Sequence, residues 1–66
     1  MRITVNGEEC ALEGSPTLEQ LIESRGLQDA ACATEVNQRL VPKRDRSLVA
    51  LEDGDRIEIV TLVGGG

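Results

Sequence analysis

The most constraining feature of this chain is the dipeptide Asn6-Gly7. In residues 1–5, Met1, Ile3 and Val5 fall on one side of an extended chain, and Arg2 and Thr4 on the other. That period of two marks a half-buried strand. Both central positions of a type I′ turn need φ above zero, which asparagine and glycine tolerate, so the dipeptide predicts an antiparallel hairpin. Residues 8–12 are then the second strand, and Glu13-Gly14-Ser15-Pro16 ends it. A lone hairpin is marginal in water, so the rest of the chain has to cover its apolar face.

The cover is a helix over residues 17–25. Thr17 is placed as N-cap, with Gln20 three residues on completing a capping box. Leu18, Leu21 and Ile22 share one helical face, while Glu19, Gln20 and Glu23 point away. Glu19 near the start and Arg25 near the end suit the helix dipole, and Gly26 is placed as the residue after the C-cap. Residues 27–31 carry no clear signal. Cys32–Val36 reads as a third strand, with Cys32, Thr34 and Val36 on its core side. Asn37-Gln38 is a turn, residues 40–41 a short strand stopped by Pro42, and residues 45–51 an ambiguous stretch with room for a helical turn. Asp53-Gly54 is a tight turn, and residues 56–63 form the last strand. Runs of strands with one helix predict an α+β domain, the helix laid across one face of a sheet.

Composition limits what such a domain can do. Its 66 residues make one domain, burying about 60% of the surface that the unfolded chain exposes, with a net stability of ~3–5 kcal/mol. Phe, Trp and Tyr are absent, so the core is expected to be aliphatic, from Leu, Ile, Val, Ala and Met with the cysteines. A small chain without aromatics has little room for a lined substrate pocket. Histidine is also absent, which removes the commonest general base and metal ligand and any Ser-His or Cys-His pair. Cys10 and Cys32 form no metal or redox spacing and read as small core hydrophobes. A net charge of −5 argues against nucleic acid and anionic lipid. Arg39, Lys43, Arg44 and Arg46 fall together, and the expectation for them is a solvated mixed-charge surface. With no leader and no apolar run long enough to span a bilayer, the expected location is the cytoplasm.

The last strand feeds the one stretch with chemical promise. Ile57 and Ile59 should enter the core. Arg56, Glu58, Val60 and Leu62 share the other face, where Val60 and Leu62 are either ordinary exposed side chains or a docking patch. After Val63 come Gly64, Gly65 and Gly66. Glycine lacks a Cβ, so such a tail can thread a narrow channel and leave a carboxylate open to attack. The division expected is a domain over residues 1–63 and a flexible glycine tail over 64–66.

The order of elements and several strings resemble the ubiquitin-like β-grasp sulfur carriers, most closely the ThiS family of thiamine biosynthesis. The strings are Met1-Arg2-Ile3-Thr4-Val5-Asn6-Gly7, Thr17-Leu18-Glu19-Gln20-Leu21-Ile22, Val36-Asn37-Gln38-Arg39-Leu40-Val41-Pro42-Lys43, Leu51-Glu52-Asp53-Gly54-Asp55-Arg56-Ile57-Glu58-Ile59-Val60 and Val63-Gly64-Gly65-Gly66. The family needs Gly65-Gly66, so Gly64 is an extra glycine. The resemblance implies a mixed sheet of about five strands with one main helix, and a protein co-substrate in place of an enzyme. A ThiF-type adenylyltransferase would use ATP and magnesium to adenylate Gly66. A persulfide-bearing protein would supply sulfur, and a ThiG-type thiazole synthase would receive it from a Gly66 thiocarboxylate. No cofactor would be bound by the chain itself. Gly64 and Gly65 would give clearance, and Val60, Leu62 and Val63 would dock partners. The alternatives are a carrier for molybdopterin or cysteine synthesis, a ubiquitin-like modifier joined to lysine amines, and an inert β-grasp interaction module.

Overall fold

The turn at residues 6 and 7 has both φ values positive, 51° at Asn6 and 83° at Gly7, as a type I′ connection requires. It joins β1 (Arg2–Val5) to β2 (Glu8–Ala11) in an antiparallel pair with Val5 opposite Glu8. The structure is a computed structural model and describes residues 1–62.

Helix α1 (Leu18–Ser24) starts on the predicted capping box. The Gln20 amide donates to Thr17 Oγ1 at 3.1 Å, and the Thr17 amide donates to Gln20 Oε1 at 2.9 Å. The helix stops at Ser24, with Arg25 as C-cap instead of a member of the last turn. Gly26 takes φ 71°. Its amide donates to Glu23 O at 2.9 Å and the Leu27 amide to Ile22 O at 3.1 Å, the double bond pattern of a Schellman stop.

Beyond it come β3 (Cys32–Val36), β4 (Arg39–Val41), a 3-10 helix (Lys43–Leu48) and β5 (Arg56–Thr61). The sheet order is β2-β1-β5-β3-β4. β5 lies in the middle, parallel to β1 (Val5 opposite Ile57) and antiparallel to β3 (Thr34 opposite Ile59). The core between sheet and helix consists of Ile3, Val5, Leu18, Leu21, Ile22, Val41, Leu51, Ile57 and Ile59. Met1, Cys10 and Cys32 pack against it half-buried, and no alanine belongs to it. The predicted core side of β3 holds, with Thr34 fully buried and Cys32 and Val36 half-buried.

The 3-10 helix corrects two sequence expectations. It begins at Lys43, two residues before the stretch in which a helical turn was expected. It also buries Arg46, which is only 6% exposed and so does not belong to a solvated surface. The reason lies in the shortness of β4. The β3–β4 register starts at Thr34 opposite Val41, so Cys32 has no β4 partner on that side. Arg46 takes the vacant place, its Nη2 donating to Cys32 O at 2.7 Å and its Nε to Thr34 Oγ1 at 3.3 Å. Thr34 Oγ1 in turn donates to Val41 O at 3.2 Å. A buried polar group left without partners costs about 1–3 kcal/mol, and this network meets that need. After it, Leu51 is pinned by donating to Pro16 O at 2.9 Å and is 1% exposed.

Candidate functional site

The candidate site is the end of the sheet where β5 leaves toward the glycines, and β5 is held in place from both sides. The Asn6 side chain acts as one more residue of β1. Its Oδ1 accepts from the Ile59 amide at 2.8 Å and its Nδ2 donates to Ile59 O at 3.1 Å. Asn37, in the other turn, holds the start of β5 through one backbone amide and one side chain. Its Oδ1 accepts from the Arg56 amide at 3.0 Å, and its Nδ2 donates to Asp55 Oδ1 at 2.9 Å. Asp55 is 9% exposed, and its other oxygen accepts from the Glu52 amide at 2.8 Å. A carboxylate satisfied by an amide and a side chain can be buried at this depth without an ion-pair partner.

The strand alternation on β5 follows the expected parity. Ile57 and Ile59 are 1% and 7% exposed, whereas Val60 and Leu62 are 58% and 56% exposed. Val60 stands opposite Ala33, and the Leu62 amide donates to Ala31 O at 2.8 Å, which extends the β3–β5 ladder past the last paired residue. The outer face of the sheet thus presents Val60 and Leu62 beside Ala33. Two residue pairs further down, on the same face, Glu58 lies opposite Glu35, which in turn lies opposite Leu40 on β4. Leu40 is 67% exposed and was missed as part of this face. Its sidedness was available from Val41, whose place in the core fixes the parity of a three-residue strand. Val63, Gly64, Gly65 and Gly66 lie outside the described residues, so their predicted roles are not placed by this geometry.

Among the described residues there is no group of three or more His, Cys, Asp or Glu able to hold a metal, and no helix long and apolar enough to cross a membrane. Cys10 and Cys32 are free thiols, both half-buried. One open depression is lined by surface side chains such as Lys43, Arg44 and Ser47, and a more enclosed recess beside Ile22 and Arg46 is only about 30 Å³. Among the described residues, no side-chain nucleophile is hydrogen-bonded to a side-chain base.

A five-stranded mixed sheet grasping one helix, with a central last strand, defines a domain of the ubiquitin-like β-grasp class. The crystal structure of the thiamine biosynthesis protein ThiS from Geobacter metallireducens superimposes with a TM-score of 0.84 at 26% identity, covering all of both chains. The ThiS family profile matches residues 3–66, and the chain belongs to the ThiS family. Its relatives include the sulfur carrier protein ThiS of Escherichia coli, 27% identical over 66 residues and the full length of both. They also include a thiazole synthase of Paramagnetospirillum magneticum, 41% identical over 66 residues. The chain spans 20% of the length of that synthase.

Proposed function

We propose that this chain is a sulfur carrier of thiamine biosynthesis that delivers sulfur to a thiazole synthase. The observation that carries the reading is the ThiS family match, which runs through residue 66 and so includes Gly64, Gly65 and Gly66. The full-length likeness to the Escherichia coli carrier supports it. The match to thiazole synthases of two organisms supports that enzyme as the recipient.

In this mechanism the chain supplies substrate atoms and its partners supply catalysis. A carboxylate is a poor electrophile because its charge is delocalised over both oxygens. A ThiF-type adenylyltransferase, using ATP with magnesium, joins the Gly66 carboxylate to the α-phosphate and releases pyrophosphate. The acyl-adenylate now has AMP as leaving group. The outer sulfur of a persulfide-bearing protein attacks it and expels AMP; a second thiol of that partner then attacks the inner sulfur of the resulting acyl disulfide, forming a disulfide in the partner and releasing the Gly66 thiocarboxylate. That sulfur then passes to a ThiG-type synthase during thiazole assembly. Gly64 and Gly65 give the tail a small cross-section. Val60, Leu62 and Val63 form the docking surface, because apolar side chains beside the tail are buried when a partner closes over it. The carrier itself holds neither nucleotide nor metal, and the reaction is placed in the cytoplasm.

The test is intact mass spectrometry after incubation with a ThiF-type enzyme, MgATP and a sulfur source. The expected result is the mass gain of one oxygen replaced by sulfur, mapped to Gly66. No gain with an enzyme that thiolates its own carrier would overturn the proposal. Isopeptide-linked products in cells would favour a modifier, and full function without Gly65 and Gly66 an inert module.

A further inference from the structure

Asn6 and Gly7 meet two demands that conflict. As a turn they must tolerate positive φ, 51° and 83°. As a clamp on β5 they need an intact carboxamide, because Asn6 Oδ1 accepts from the Ile59 amide at 2.8 Å and Nδ2 donates to Ile59 O at 3.1 Å. An ionised aspartate can accept the first bond and cannot donate the second. The clamp is also the last hold that β5 has on this side. Its pairing with β1 stops at Val5–Ile57, and Val60 and Thr61 are paired with β3 alone among the described residues.

An asparagine followed by glycine is the pairing in which a carboxamide is chemically least secure. Glycine has no side chain to shield its backbone nitrogen, so that nitrogen can reach the carboxamide carbon before it. Here both residues are exposed. A Cβ at Gly7 would meet nothing within 4 Å, and the Gly7 amide makes no backbone hydrogen bond among the described residues. Asn37-Gln38 supplies the contrast within the same chain. It too is exposed with positive φ at both residues, 52° and 68°, but the long side chain of Gln38 crowds the approach of its nitrogen to the Asn37 carboxamide.

We propose that Asn6 is a site of self-modification by deamidation, gated by its own clamp on β5, and that the conversion irreversibly loosens the end of that strand. Base removes the Gly7 amide proton, and the nitrogen attacks Asn6 Cγ. A bond forms between Gly7 N and Cγ, the Cγ–Nδ2 bond breaks, and Nδ2 takes a proton from water and leaves as ammonia. Water then opens the cyclic imide. Attack at Cγ gives aspartate, and attack at the backbone carbonyl gives isoaspartate. The leaving Nδ2 is tied to Ile59 O, so the reaction draws on the opened clamp. Aspartate sets a carboxylate oxygen against Ile59 O, two acceptors with no proton between them. Isoaspartate adds a backbone carbon to the link between Val5 and Glu8, which face each other across the turn.

The experiment is ageing of the full chain at mildly alkaline pH, folded in buffer and unfolded in urea, with intact mass and peptide maps followed over time. The expected result in the folded chain is the mass change of a carboxamide replaced by a carboxylic acid, mapped to Asn6 and not to Asn37. It should proceed about tenfold or more slowly than in urea, because two hydrogen bonds open first. Thr17→Ala lowers global stability from the helix start. It is expected to leave the folded-state rate within about twofold, since local opening and not global unfolding exposes the carboxamide. Asn6→Asp reproduces one product, and its Ile59 amide is expected to exchange about tenfold faster than in wild type.

Equal rates in the fold and in urea would overturn the gating. A folded-state rate that climbs in Thr17→Ala would overturn it too, by placing the reaction in the unfolded chain. No conversion of Asn6 in the folded chain, or conversion of Asn37 as fast as Asn6, would overturn the site. Wild-type exchange at Ile59 in Asn6→Asp would overturn the loosening of β5. None of these readouts involves sulfur or a partner protein, so each outcome leaves the carrier reading where it stood.

Discussion

Replacing Gln38 by glycine should make this protein more stable. Among the described residues, two turns have positive φ at both central residues. Asn6-Gly7 joins β1 to β2, and Asn37-Gln38, at 52° and 68°, joins β3 to β4. Asparagine tolerates the left-handed region, but for a residue with a long side chain it costs roughly 1–2 kcal/mol relative to the right-handed one. Glycine removes that cost and adds back about 0.5–1 kcal/mol of unfolded-state entropy. The net expectation for Gln38→Gly is a gain of about 0.5–1 kcal/mol, from the difference of those terms. In a domain of this size, 1 kcal/mol moves Tm by about 4–8 °C. Gln38 is exposed, and its side chain makes no hydrogen bond among the described residues, so the exchange removes no contact.

The mirror experiment is Gly7→Ala. An added Cβ at Gly7 meets nothing within 4 Å, so any loss comes from its φ of +83° alone. A loss of about 1 kcal/mol is expected there. With no tryptophan or tyrosine in the chain, the assay is far-UV circular dichroism in urea, with the slope m as a check on the unfolded state. A neutral or destabilising result for Gln38→Gly at unchanged m would refute the reasoning, because the positive φ at that turn would then carry no cost.

Four further outcomes follow from the structure. Thr17→Ala removes the acceptor of the Gln20 amide and should cost about 1 kcal/mol in urea unfolding. Arg46→Met keeps the volume but leaves Cys32 O and Thr34 Oγ1 without their donor; it should cost about 1–3 kcal/mol and speed amide exchange at Leu62, whose acceptor Ala31 O adjoins Cys32. Val60→Asp should weaken partner binding while Tm barely moves, since Val60 is 58% exposed; a collapse of Tm would mean the outer face is not free. Gly66→Ala should fold as wild type yet be adenylated poorly by a ThiF-type enzyme, and a normal adenylation rate would refute the steric role given to the glycines.

The parts of the fold that the sequence made legible are those set by local chemistry. The Asn6-Gly7 turn, the Thr17–Gln20 capping box, the Gly26 stop and the sidedness of β5 each depend on a few neighbouring residues, and each formed as read. What stayed hidden depends on partners distant along the chain. Asn6 and Asn37 are visible as turn residues. That their amides also bond the backbone of β5 needs the tertiary register, 53 residues away for Asn6. Arg46 looks like its exposed neighbours in sequence. Only the early end of β4 explains why it is drawn inside. The family resemblance implied a mixed sheet, but the parallel pairing of β1 with β5 was not among the expectations, since no local signal distinguishes a parallel from an antiparallel neighbour. At the site, the apolar exposure of Val60 and Leu62 was readable from strand parity, and that of Leu40 followed from Val41 but was missed.

The central position of β5 also has a mechanical consequence. A pull on the chain beyond Leu62 acts along the axis of a strand flanked by β1 on one side and β3 on the other. Traction in that direction loads the flanking hydrogen bonds in shear, all at once, instead of unzipping them in turn as it would a peeled edge strand. The side-chain bonds of Asn6 to Ile59 and of Asn37 to Arg56 work as rivets at two levels of the same strand. Forced unfolding is governed by the barrier and not by the equilibrium. A small domain of modest thermodynamic stability can therefore be tugged by its tail and keep its shape.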